Sequence, residues 1–446
     1  MFRTRRIISL LLALVMTFAA GGSALAVGEG LFSFFDKKED EVTISKEEYE
    51  KLMQFSKLAE IMDVVEAYYY EEPDRKAMLD YAIMGMLQGL GDNYTFYYTP
   101  ENWKKMWEDD EGVYAGVGIQ MLADFTANTV TISRVFRNTP AEEAGLKKGD
   151  QLVRVDELQV TAETMQEAAI LMRGKEAETV EIEIIRRGER MTFTVGRRVI
   201  TVNTVEYTML DDQVGLLALY DFAGSCVTDF TEALKALRSQ GATALVIDVR
   251  DNGGGWVAAA EKMVDLFLDK QLLFYAEDRS KDRIDYYTTD GKDDIPLVVL
   301  VNGSAASSSE ILAGTLRAAG RARLVGTKTY GKGIMQYVIP LNGRDGEEDG
   351  MQVTFAQYFL PDGTVVHKVG LTPDVTVEMP EELVNEYFEL GDMRDPQLKA
   401  AWEEAVRVRD EEPLNAEAAD MEPAQAPAEA DWSFSAQEML PLTLGM

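Results

Sequence analysis

The run Leu297-Val298-Val299-Leu300-Val301-Asn302-Gly303-Ser304-Ala305-Ala306-Ser307-Ser308-Ser309-Glu310-Ile311 passes from an apolar strand, through a loop of small residues, into a helix that should reach Ala319. The same change of pattern repeats on either side. Strands are expected at Val214–Leu219 and Ala244–Val249, and helices at Val227–Ser239 and Val257–Leu268. Alternation of this kind from Val205 to about residue 378 implies an α/β core. Such sheets place their sites where loops leave the carboxyl ends of neighbouring strands. One such loop holds Ser307. Another is Asp248-Val249-Arg250-Asp251-Asn252-Gly253-Gly254-Gly255. A third, Gly326-Thr327-Lys328-Thr329-Tyr330-Gly331-Lys332-Gly333, follows the next helix and strand, with Gln336 beyond it.

The chain has 446 residues, of which 46% are apolar and 27% charged, enough for two to four folded domains. Its 44 Lys+Arg against 77 Asp+Glu give a formal charge of -33, which argues against a basic footprint for nucleic acid. The single cysteine, Cys226, excludes an intramolecular disulfide framework and a Cys-rich metal site, and it reads as a core residue. The single histidine, His367, excludes a His cluster on a metal and leaves one imidazole as a candidate base. The chemistry falls to hydroxyls, carboxylates, lysines and the backbone. No metal site and no cofactor are expected.

The N-terminus reads as an export signal. Arg3, Arg5 and Arg6 precede an apolar run, Ile7 to Ala20, and Ala24-Leu25-Ala26 offers a small-x-small cleavage site. The run is short of the ~20 residues a membrane span needs; an uncleaved anchor is the alternative. Residues 27–112 read as helical, with amphipathic runs over Ser45–Tyr70 and Arg75–Leu90 and a third helix opened by Thr99-Pro100. These helices would pack on the rest of the chain or on a second copy of it. Residues 113–198 change to short β-rich runs with a helix near Thr164–Met172. A helical segment is expected over 380–409. Beyond it, residues 410–446 form an acidic tail, with eight acids, no bases, seven Ala and three Pro over 410–431, expected to be disordered.

Ser307 has an ordinary explanation. Ser307-Ser308-Ser309-Glu310 is a capping box, with Glu310 three residues after the N-cap. Lys332 between two glycines would ordinarily be a solvated turn residue, and Asn252 before three glycines a tight turn. Together they suggest chemistry. A serine nucleophile needs a base, and no Gly-x-Ser-x-Gly elbow exists for His367 to serve. A buried lysine can serve if desolvation lowers its pKa. A serine at a helix N-terminus also offers the N–H groups after it to an oxyanion, and a glycine loop supplies a second donor.

Two resemblances follow. Gly116-Val117-Gly118-Ile119, with Thr139-Pro140-Ala141-Glu142-Glu143-Ala144-Gly145-Leu146 and Gly149-Asp150, resembles the PDZ domain of exported proteases, whose glycine loop captures a peptide's terminal carboxylate. From about Leu52 to Gln397 the chain resembles the carboxyl-terminal processing peptidases, or tail-specific proteases. The family's Ser-Ala-Ser-Ala-Ser-Glu appears as Ala305-Ala306-Ser307-Ser308-Ser309-Glu310, its Phe/Tyr-Gly-Lys-Gly as Tyr330-Gly331-Lys332-Gly333, and its Asn-Pro-Gly-Gly as Asn252-Gly253-Gly254-Gly255. The resemblance implies Ser307 as nucleophile, Lys332 as general base, Gln336 as the residue orienting the lysine, and an oxyanion hole from the Gly255 and Ser308 amides. Gly253 stands where the family has proline and should loosen the loop. His367, in a stretch read as β-rich, receives no role.

The implied fold is a multidomain mixture of α+β and α/β parts: an α/β peptidase core at 199–379 with an inserted PDZ domain at 113–198 and helical terminal segments. The implied function is an exported serine endopeptidase acting near apolar C-terminal tails, with protein or peptide substrates recognised through the PDZ residues Gly116, Val117, Gly118 and Ile119. Arg173 is a candidate link from that module to the active site. A homodimer formed by residues 45–110 and 380–409, and a regulatory partner, are also implied. The rival readings are a catalytically silent peptide-binding or scaffold protein, a substrate-delivery factor acting through the acidic tail, and a His-based hydrolase.

Overall fold

The computed structural model describes residues 44–411, apart from 112, 125–126, 163, 175, 290, 292, 343–346, 384–385 and 387. The expected export signal and all of the acidic tail after Glu411 lie outside the described residues. The chain divides into two compact units between Met78 and Leu79.

In the first unit, helix α1 (Lys46–Met53) opens with a capping box: the Ser45 hydroxyl accepts the Glu48 N–H at 3.1 Å, and the Glu48 carboxylate accepts the Ser45 N–H at 2.7 Å. The single helix expected over Ser45–Tyr70 is in fact two. A tight turn, with the Phe55 N–H donating to the Leu52 carbonyl, separates α1 from α2 (Ser56–Tyr68). Leu52, Phe55, Leu58 and Ile61 stay exposed in the single chain, and only Met62 of α2 is buried. Helix α3 (Arg75–Gln88) runs across the division.

The second unit continues with strand β1 (Phe96–Tyr98) and helix α4 (Pro100–Glu111), which Pro100 begins as expected. The middle module follows: β2 (Val113–Gly116), β3 (Ile119–Asp124), β4 (Thr129–Val135), α5 (Pro140–Ala144), β5 (Gln151–Val155), β6 (Leu158–Gln159), α6 (Met165–Met172), β7 (Thr179–Arg186), β8 (Glu189–Gly196) and β9 (Arg198–Thr201). Strands β3-β4-β5-β7-β8 form an antiparallel sheet with β6 attached to β5, and β2 pairs with β9. Strand β3 lies at the edge of its sheet.

The core then runs β10 (Val205–Met209), β11 (Val214–Leu219), α7 (Cys226–Ser239), β12 (Ala244–Asp248), α8 (Val257–Asp265), β13 (Leu272–Asp278), β14 (Arg283–Tyr287), β15 (Leu297–Val301), α9 (Ser308–Ala318), β16 (Ala322–Gly326), β17 (Ile334–Asn342), β18 (Glu348–Phe359), β19 (Val375–Thr376) and α10 (Pro396–Asp410). Strands β11, β12, β15, β16 and β19 are parallel, and β10 pairs antiparallel at the edge. Side chains alternate between the two faces of this sheet. Leu217, Ile247 and Val299 pack against α7, α8 and α9, with Cys226 buried in the same cluster. Leu216, Val246 and Leu300 pack against Leu398, Ala401 and Ala405 of α10. Both faces are therefore covered, which explains the unbroken apolar runs.

Three expectations change. The region 27–112 is not wholly helical, because β1 pairs antiparallel with β18. The alternating core also has a second sheet, ordered β1-β18-β13-β14 with β17 on β18. Among the described residues of 380–409 a 3-10 turn at Glu381–Leu383 comes before α10, with Gly391 in the left-handed region (φ 84°) between them. Asp395 caps α10 by accepting the Gln397 and Leu398 N–H groups, and the buried face of the helix is used on its own chain's sheet.

Candidate active site

The three loops noted in the sequence leave the carboxyl ends of β12, β15 and β16, which are consecutive parallel neighbours. Asn252, fully buried, binds the first two loops together. Its side-chain amide donates to the Leu219 carbonyl at 2.9 Å, and its own carbonyl accepts the Ala306 N–H at 3.1 Å and the Ser309 hydroxyl at 2.9 Å. Asp251 and Asn302 exchange two further bonds across the same gap, at 2.8 and 3.0 Å. Asn252 is thus more than a turn residue.

Ser307 sits at φ 56°, ψ -117°, a left-handed conformation costly for a residue with a side chain. It forms a sharp turn from strand to helix, without the glycines that usually mark one. Glu310 holds that turn. Its buried carboxylate accepts the Ser307 N–H at 2.9 Å, as a capping box requires. It also accepts the Thr329 hydroxyl at 2.5 Å and the Gly331 and Lys332 N–H groups at 2.8 Å each. One carboxylate therefore fastens the serine turn to the lysine loop. The buried Tyr358 hydroxyl adds a bond to the Ser307 carbonyl at 3.3 Å.

Gly254, rather than Gly255, presses on Ser307. A Cβ on Gly254 would fall 2.8 Å from Ser307 Cβ, 2.9 Å from the Ala306 carbonyl oxygen and 3.0 Å from Ser308 N, and its φ is +105°. Gly255 (φ +142°) instead packs on Phe222, and its carbonyl accepts the Ser308 hydroxyl at 2.9 Å. A Cβ on Gly253 meets nothing within 4 Å.

Lys332 is half-buried, and its Nζ lies 4.6 Å from the centroid of the Tyr94 ring. Burial lowers its pKa below the ordinary lysine value, against the opposing pull of the Asp92 carboxylate. Among the described residues no hydrogen bond joins Lys332 Nζ to Ser307. Gln336, at a bulge in β17, donates to the Thr354 hydroxyl at 3.2 Å rather than to the lysine. His367 lies in a turn, not in a strand; its backbone N would be 2.3 Å from a Cβ on Gly333. The Val369 and Gly370 N–H groups close the turn on the Val366 carbonyl at 3.0 and 2.9 Å, and the Lys368 N–H ties it to the Gly331 carbonyl of the lysine loop at 2.8 Å.

In the middle module, Gly116 and Arg173 face one another across an isolated antiparallel bridge. Val117 is buried in the module's core, and Ile119 begins the edge strand. Gly118 has φ +92°, and a Cβ there would meet Thr139 at 2.3 Å. The glycine is therefore demanded by close packing on Thr139 as well as by any approach of a ligand. The sequence reading did not foresee Asn252 and Glu310 as ties between loops, the close approach of Gly254 to Ser307, or the Asp92–Tyr94–Thr95 turn. Asn252, Glu310 and Gly254 stood in quoted motifs, but nothing local marks the turn.

Comparison with known proteins places these features side by side. Peptidase family S41 matches residues 213–377, a PDZ domain matches residues 113–196, and the Activating protease CtpB N-terminal domain matches residues 19–102. The Carboxyl-terminal-processing protease of Synechocystis sp. is 35% identical over 343 residues, covering 75% of this chain and 78% of its own. The Carboxy-terminal processing protease CtpB of Bacillus subtilis is 28% identical over 394 residues, covering 85% of this chain and 80% of its own. Among solved structures, a photosystem II D1 C-terminal processing protease superposes with a TM-score of 0.53 at 30% identity, covering 76% of this chain and 91% of that one.

Proposed function

The chain belongs to peptidase family S41, among the carboxy-terminal processing proteases, and is a serine peptidase; we propose that it cuts by a Ser307–Lys332 dyad. Neutral Lys332 Nζ takes the Ser307 hydroxyl proton as the oxygen attacks the scissile carbonyl carbon. The Gly255 and Ser308 amides hold the oxyanion. Lys332 then gives that proton to the leaving amine, and water hydrolyses the acyl-enzyme. Gln336 orients the lysine when the site closes on substrate; catalytic hydrogen bonds often tighten only then.

The observation that carries this reading is the Glu310 carboxylate. It binds the Ser307 turn and the backbone of Lys332 at once, so two loops separated in sequence are held as one unit. Substrate enters, in this reading, by its apolar C-terminus. The carboxylate meets the Gly116–Ile119 loop, the tail adds as a strand to the free edge of β3, and Arg173 beside Gly116 relays occupancy to the site. We place the protein outside the cytoplasmic membrane, exported by residues 1–26, which are cleaved or kept as an anchor. It works as a homodimer through residues 45–110 and 380–409, the apolar face exposed on α1 and α2 included, with the option of a regulatory partner. Domain limits at 113–198 and 199–379 are part of the same reading.

The test compares residues 27–446 with Ser307→Ala and Lys332→Ala on an unfolded protein with an apolar C-terminus, followed by mass spectrometry. Cleavage by the unsubstituted chain alone is expected. Full cleavage by Lys332→Ala would remove the dyad.

A further inference from the structure

Phe222 and Gly255 form an isolated parallel bridge beside the Ser307 turn. Two bonds make it: the Phe222 N–H donates to the Gly254 carbonyl at 3.2 Å, and the Trp256 N–H donates to the Phe222 carbonyl at 2.9 Å. Both use the neighbours of Gly255, and neither uses Gly255 itself. The two peptides that meet at Gly255 are trans and planar, so each turns its other polar group away from Phe222. The N–H and the carbonyl of Gly255 therefore face the same side. On that side lies the start of α9, where the fully buried Ser308 donates its hydroxyl to the Gly255 carbonyl at 2.9 Å. The N–H beside it has no protein acceptor among the described residues.

We propose that the Ser308 hydroxyl is a positioning group for the oxyanion hole: by holding the Gly255 carbonyl, it aims the Gly255 N–H at the reacting oxygen. The inference rests on the reading of the Gly255 and Ser308 amides as the oxyanion donors.

The loop before Gly255 brings little rigidity of its own. A Cβ on Gly253 meets nothing within 4 Å, and the Gly253 N–H has no acceptor among the described residues. Gly254 is held on both sides, its N–H by the Asn252 side chain at 2.9 Å and its carbonyl by Phe222. Gly255, at a φ of +142° that leaves a glycine free to turn, has one bond to its own polar groups among the described residues, and that bond comes from Ser308. Ser308 is the first residue of α9, whose start Glu310 ties to the lysine loop. Its own N–H is among those that a helix start leaves without an intrahelical partner. One residue thus offers a donor of its own and refers the second donor to the same rigid frame.

Ser308→Ala removes the hydroxyl and keeps the N–H. In the full chain kcat is expected to fall about tenfold with KM changed by less than about twofold, because a misdirected donor is felt in the transition state rather than in substrate binding. A peptide boronic acid forms a tetrahedral adduct with Ser307 and places an oxygen in the same hole, so its affinity should fall by the same factor. Gly253→Pro separates positioning from general damage. Gly253 is not in the left-handed region, has no N–H bond to lose and has room for a ring, so proline there takes freedom from the loop without a clash. In a chain already carrying Gly253→Pro, Ser308→Ala should cost about twofold or less. An equal loss in both backgrounds overturns the proposal, as does an unchanged kcat or a loss of kcat with boronate affinity intact. If Ser308→Ala fails to fold, Ser308→Gly is read the same way.

The donor reading is tested apart from this. Gly-Gly steps occur only at 21–22 and 253–255, so glycine carrying both a heavy carbonyl carbon and a heavy nitrogen isolates the amide signals of Gly22, Gly254 and Gly255 in a carbonyl-filtered spectrum. The Gly255 proton should move downfield when the boronic acid binds the unsubstituted chain, and less in Ser308→Ala. If it stays in place although the boronic acid binds, the donor reading falls and the positioning role with it. If it moves equally in both chains, the positioning role alone falls.

Discussion

Gly253 and Gly254 are adjacent and look alike in sequence, yet the structure treats them oppositely. Gly254→Ala would force a side chain into a left-handed backbone and against Ser307 Cβ. A drop in kcat/KM of about 10²-fold is expected from the misplaced serine. Gly253→Ala meets open space and should raise stability by about 0.4–1 kcal/mol through the unfolded chain, checked by thermal unfolding. The lysine makes a second prediction. Its pKa is lowered by burial, so its neutral form grows as pH rises through a value below the ordinary one, and cleavage should climb from acid to mildly alkaline pH. A flat rate between about pH 5 and about pH 9, with chemistry limiting, would contradict it. Ser307, Lys332 and Gln336 were legible because each stands in a short, recognisable local pattern. The turn at Asp92, Tyr94 and Thr95 was not. The contacts of Thr95 with Thr354 and of Gln352 with Tyr94 span 259 and 258 positions, so no window of sequence displays them.

At the scale of elements, the parallel strands were readable because both of their faces are buried and the apolar run is continuous. Strands β17 and β18 were not, since Gln336, Tyr337, Gln352 and Thr354 interrupt any such run on strands that are largely half-exposed. Helix α10, expected to take part in assembly, packs one face on the core sheet. Arg250, just after β12, anchors it. The guanidinium meets Asp248 at 2.8 Å and the capping Asp395 at 2.7 Å, and bonds the Gln397 side chain at 3.1 Å. The two carboxylates hold Arg250 charged despite its burial. Arg250→Ala leaves Asp395 buried without its counter-ion, so a loss of about 3–5 kcal/mol in denaturant unfolding is expected. An unchanged midpoint would mean that the helix is held by its apolar face alone.

For the molecule as a whole, the exposed row Leu52, Leu58 and Ile61 is unusual on a chain of net charge -33. Leu58→Asp with Ile61→Asp should convert a dimer into a monomer by light scattering; a wild-type chain that is already monomeric would remove the dimer. The pairing of β1 with β18 has another consequence. The buried Tyr97 hydroxyl bonds Asp349 at 2.5 Å across 252 positions of chain. Synthesis runs from the N-terminus, and the partner strand emerges only after the whole middle module and most of the core. The turn around Tyr94, fastened to Gln352 and Thr354 of β18, has nothing to close on in a chain that has not yet been made that far.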